Sequence, residues 1–68
     1  MDDLKRMVSA DGFVEVFWER MQAARSSGEQ LSRVDCYERM EEDFLAEYNC
    51  NRFSSYDAFR KVLNQRRR

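Results

Sequence analysis

"DGFVEVFWERMQAARSSG", residues 11–28, is the stretch on which the fold turns. Phe13, Phe17, Met21 and Ala24 recur at the three- and four-residue steps of one helical face. Val14 and Trp18 widen that face on one side, Val16 and Ala23 on the other. At about 100° per residue the apolar arc spans roughly 220°. A single packing seam needs only about 100° or somewhat more. A helix this widely apolar either sits centrally between two others or buries one edge against a second molecule. Ser9 or Asp11 suits its N-cap. "SSG" at 26–28 supplies the stop, with Gly28 able to take the left-handed conformation after the last turn.

Reading downstream, Ser32 is the N-cap candidate of a second helix, and Asp35 makes a weaker relative of the Ser-x-x-Glu capping box. Leu31 before the cap and Cys36 after it fit a hydrophobic staple. Val34, Tyr37, Met40, Phe44, Leu45 and Tyr48 form the apolar side of this helix. Asp35, Glu38, Arg39, Glu42 and Asp43 take the other side, and Glu41 alone of the carboxylates falls within the apolar arc. The run "EEDF" is therefore read as mainly solvated carboxylates rather than an acid cluster for metal or catalysis. In the connection "NCNR", Asn49 or Asn51 can accept a positive φ.

A third helix is expected from "SSYDAFRKVLNQRRR". Ser54 is read as its N-cap, with Asp57 reaching back to the cap amide and Phe53 stapled to Ala58. Tyr56, Phe59, Val62 and Leu63 form its apolar side. Arg60, Lys61, Asn64, Arg67 and Arg68 gather on an adjoining arc of about 120°. Ahead of the first helix, "DDLKRMV" either forms a short helical turn that lays Leu4, Met7 and Val8 on the bundle, with Asp2 and Asp3 at its positive end, or frays as a chain terminus. The expected fold is all-α: one domain over residues 1–68, a three-helix bundle with helices at about 11–26, 33–48 and 54–66. A helix-turn-helix outline for the last two is the variant.

Composition agrees. Pro is absent and Gly occurs twice, which favours helices with short connections. Apolar residues make up 43% and aromatics 13%, too many for a disordered tail. No apolar run approaches the roughly 18 residues of a membrane span. The opening "MDDLKRMVSADG" is acidic and lacks the apolar core of an export signal, so the expected location is cytoplasmic. Two cysteines without a histidine fall short of a four-ligand zinc site. Cys36 and Cys50 are expected as free thiols. No serine or cysteine has a candidate base and no glycine-rich phosphate loop occurs, so neither an enzyme nor a cofactor is indicated. A bundle this small is also expected to offer little room for a pocket of about 300 Å³ or more.

The net charge of −1 hides a polarised chain. Residues 1–50 carry six basic and twelve acidic residues, and residues 51–68 six basic and one acidic. The pattern Arg52-Phe53-Ser54-Ser55-Tyr56-Asp57-Ala58-Phe59-Arg60, after an acidic helix ending in an aromatic and before a basic tail, resembles the C-terminus of small uncharacterised proteins of phages and mobile elements of gut bacteria. The resemblance spans roughly residues 30–68. It implies a small cytoplasmic helical protein and carries no activity with it. The tail "KVLNQRRR" departs from that pattern in being more apolar and less evenly basic.

Two binding roles follow. As a protein-interaction module, self-associating or binding a partner protein, the chain would use Trp18, Val14 and Tyr48 at the interface, since Trp, Tyr and Arg are the usual anchors. As a helix-turn-helix-like DNA-binding protein it would set Arg60, Lys61 and Asn64 on base edges, Ser54 and Ser55 at a phosphate, and Arg52, Arg67 and Arg68 on the backbone. The acidic helix before the basic one and the overall charge favour the first role. Closure of the basic helix on the acidic one is the third arrangement the charges permit.

Overall fold

The structure, a computed structural model, describes residues 2–65, with side chains from Leu4 onward. It is a small all-α three-helix bundle with a short additional helix at the start. The helices are α1 (Asp2–Arg6), α2 (Ala10–Ser26), α3 (Arg33–Tyr48) and α4 (Tyr56–Gln65). No described helix is long and apolar enough to cross a membrane.

Capping sets the boundaries. Ser9 caps α2, its Oγ accepting from the Gly12 N–H at 3.0 Å, and Ser32 caps α3 by accepting from Asp35 N–H at 3.1 Å. Helix α2 ends in a Schellman motif: Gly28 N–H donates to Arg25 O and Glu29 N–H to Ala24 O, with Gly28 at φ 81°. At the end of α3 the left-handed residue is Asn49, at φ 60°. Helix α4 corrects the sequence reading. It begins at Tyr56, and Ser55 rather than Ser54 accepts from Ala58 N–H. The amides of Arg52 and Phe53 are already held by Glu41, so the chain turns helical one residue later.

Helix α2 is the central element. It packs on α1 and α3, and α4 reaches it through Phe59, whose ring centroid lies 5.3 Å from Phe13 and 4.9 Å from Phe17. The wide arc is therefore used largely inside the molecule. Val14, expected as an interface residue, is buried in the core, because a central helix needs both flanks of its arc. Met7 docks α1 and is fully buried, while Val8, expected against the bundle, is exposed. On α3, Cys36, Tyr37, Met40 and Phe44 are buried, whereas Val34 and Leu45 are 41% and 45% exposed. Those two lie at the edge of the arc where no helix covers them.

Glu41 explains how the connection at 49–55 is held. This carboxylate is buried, as its place in the apolar arc requires, and it accepts three hydrogen bonds: from Tyr37 OH at 2.6 Å, Arg52 N–H at 2.8 Å and Phe53 N–H at 2.9 Å. It replaces the water that two loop amides would otherwise keep. Hydrogen bonds to a charged group contribute about 1.5–3 kcal/mol each. Glu41→Ala should therefore cost about 2–3 kcal/mol after relaxation of the loop, measured by urea denaturation. A loss below about 0.5 kcal/mol, the level of a plain surface change, would refute the clamp.

Burial, reinforced by the bond to Glu41, raises the pKa of Tyr37 above the ordinary tyrosine value. The folded state thus holds this proton more tightly than the unfolded chain does. The contribution is intact below about pH 10, the ordinary tyrosine range, and is lost as pH rises above it. Alkaline titration of stability should fall more steeply for the wild type than for Tyr37→Phe. Equal slopes would show that the hydroxyl does not couple to folding.

Candidate functional site

Helix α2 leaves one part of its arc uncovered. Beyond Phe17 its outer flank carries Trp18, Met21 and Arg25, and the loop after Gly28 returns past Leu31 to Arg33 at the start of α3. Between them lies an open groove of about 620 Å³. That is more room than the length of the chain led one to expect, and it forms because the Schellman turn swings the loop away from α2 before Ser32 starts the next helix.

The floor is apolar. Trp18, the single tryptophan, is 36% exposed, with its ring edge-on to Phe17 at 5.1 Å. Met21 and Leu31 are half-buried beside it. The rim is cationic. The Arg33 guanidinium lies over the Trp18 ring, 5.5 Å from its centroid, and Arg25 is exposed. Neither arginine forms an ion pair among the described residues. Glu29, the acid of the lining, is turned to Arg39 at 3.1 Å. A tryptophan face under a guanidinium is a preorganised platform, since the cation–π contact (about 0.5–1 kcal/mol at an exposed site) restrains both groups. No described side chain has a buried polar atom without a partner. The groove's polar chemistry is therefore that of its rim.

The remaining sequence candidates are placed less uniformly. Tyr48 is 37% exposed, but its hydroxyl donates to the Leu4 carbonyl and its ring packs on Phe44 at 4.6 Å. It straps α1 to α3 and lies apart from the lining of the Trp18 groove. Arg52 is also drawn inward: its Nε donates to Val8 O at 2.8 Å and its guanidinium covers the Phe53 ring at 4.8 Å. Ser55 serves as the α4 cap, and Ser54 is exposed.

Arg60, Lys61 and Asn64 are exposed on α4, and neither cation pairs with α3 among the described residues. The charge-closed arrangement is therefore not the one adopted there. Arg67 and Arg68 lie outside the described residues. The α3–α4 connection at 49–55 is longer than the about 3–4 residues of a helix-turn-helix turn.

Both thiols are free, with Cys36 buried and Cys50 exposed, and burial raises the Cys36 pKa. No three His, Cys, Asp or Glu side chains converge as a metal site among the described residues. Arg6 holds Glu19 and Glu15 at 2.6 and 3.2 Å, and its hydrogen bond lowers the Glu19 pKa. Sequence reasoning missed the groove as such. Its signal was present in the Trp18 edge of the arc and in the loop that must follow Gly28. The chain matches no family model, no curated protein and no solved structure.

Proposed function

We propose that this chain is a small, non-enzymatic protein-interaction module that works in the cytoplasm by self-association or by binding a partner protein. The observation that carries the reading is the Trp18 groove: an apolar floor with a half-exposed tryptophan, rimmed by Arg25 and Arg33. Interfaces draw their energy from aromatic and arginine anchors at partly enclosed sites ringed by polar residues. The free thiols of Cys36 and Cys50 suit a reducing compartment. The likeness of residues 52–60 to phage and mobile-element proteins belongs to the same reading as an expectation about origin.

Selection of ligands from a displayed random-peptide library tests the groove. Wild-type chain should enrich binders, and Trp18→Ala should weaken them about thirtyfold or more, the measure of an interface hot spot. No enrichment, or binders indifferent to Trp18→Ala, would overturn the assignment. A second reading rests on the exposed Arg60, Lys61 and Asn64, which suit a nucleic-acid backbone or base edges. It requires duplex DNA binding that falls steeply with salt and weakens on replacing Arg60 and Lys61 with Ala.

A further inference from the structure

The groove has a complement on the same molecule. Val34, Glu38, Glu42 and Leu45 are all exposed on α3. At about 100° per residue they fall within an arc of roughly 80° on one side of that helix. Neither Glu38 nor Glu42 forms an ion pair among the described residues. This stripe is apolar at two points and acidic between them, while the groove is apolar at its floor and basic at its rim. Val34 directly follows the groove residue Arg33, so stripe and groove adjoin.

We infer that the groove receives the α3 stripe of a second copy of this chain. Two adjoining patches that complement one another meet twice around a twofold axis: the groove of each copy takes the stripe of the other, and the contact closes as a dimer. Val34 and Leu45 supply apolar contacts for Trp18 and Met21, and Glu38 and Glu42 approach Arg25 and Arg33. With Glu29 paired to Arg39, the groove's other charges are the basic Arg25 and Arg33 and the stripe's are acidic, which disfavours the groove-to-groove and stripe-to-stripe alternatives, where like charges would face each other. This inference rests on the interaction reading and names its partner.

Sedimentation velocity of the full chain tests it through charge reversal at exposed positions. Arg25→Glu with Arg33→Glu should shift the wild-type dimer to monomer. Glu38→Lys with Glu42→Lys should do the same. Mixing the two variants should restore the dimer, because acidic groove then meets basic stripe at one contact while native groove meets native stripe at the other. Far-UV circular dichroism establishes that each variant keeps its helices. Should the reversals at 38 and 42 disturb α3, Val34→Asp with Leu45→Asp reads the same stripe. A wild type that stays monomeric at all soluble concentrations overturns the dimer and leaves the peptide-selection test of the groove standing. A dimer that all these variants leave unchanged overturns the assignment of groove to stripe while keeping self-association.

Discussion

Phe59→Ala is expected to unfold the chain at room temperature. The Phe59 ring is fully buried and meets Phe13, Phe17, Phe53 and Tyr37 at centroid separations of 5.3, 4.9, 5.4 and 5.1 Å. It is the residue at which α2, α3, α4 and the connection at 49–55 all meet. Truncating a buried phenylalanine costs about 3–5 kcal/mol, and edge-to-face aromatic pairs add about 0.5–1.5 kcal/mol beyond their area. A core in a domain of this size supplies only about 3–5 kcal/mol of net stability. The loss is therefore as large as the total. Far-UV circular dichroism should show most of the helical signal gone and no cooperative melt. A cooperative melt lowered by less than about 10 °C would correspond to no more than about 2 kcal/mol, and would show that the cluster is not the centre of the fold. Phe59→Leu keeps most of the volume and should retain a cooperative transition.

Gly12→Ala should detach α1. A β-carbon at Gly12 would stand 1.7 Å from the Arg6 carbonyl oxygen and 2.6 Å from its carbon. Both are backbone atoms at the end of α1, so no side-chain rotation relieves the overlap. The substitution favours α2 locally, since alanine is better than glycine in a helix by about 1 kcal/mol, but the steric cost is larger. Undocking α1 exposes the buried Met7, a loss on the scale of the about 2–5 kcal/mol seen for emptying such a site. It also separates Arg6 from Glu15 and Glu19, an exposed network of small weight. The check is amide hydrogen exchange together with urea denaturation: protection near Met7 should vanish and stability should fall by about 2 kcal/mol or more. An unchanged or higher stability would mean that α1 does not press on Gly12. Nothing lies within 4 Å of a β-carbon built at Gly28, so there only the φ of 81° resists substitution. One glycine is kept for space and the other for its backbone angle.

Much of this was legible from local chemistry. Ser32 with Asp35 and Gly28 after the last turn of α2 each act within one turn of chain, so sequence alone located them, while for the first cap it left Ser9 and Asp11 open and the structure uses Ser9. Glu41 was also marked, as the carboxylate inside the apolar arc of α3, although its partners were not. The helix-start device at 53–58 was read one residue early. Ser54 and Ser55 are chemically equal as caps, and the choice between them is made by Glu41, which lies at the far end of a long-range contact.

What the sequence by itself determined is the three main helices and their placement to within a residue or two, because periodicity, caps and stops act over a few residues. It also determined that α2 must be central or sticky, because a 220° arc cannot be satisfied by one neighbour. The tertiary structure decided which edge is which. Val14 is covered and Trp18 is not, although both stand on the same flank, since coverage depends on where α4 and the 27–32 loop come to lie. It equally decided that Arg52 turns inward to Val8 while Arg60 and Lys61 stay in water, and that the space beside Trp18 remains open as a groove. These outcomes depend on the crossing and length of neighbouring helices, which no local pattern encodes.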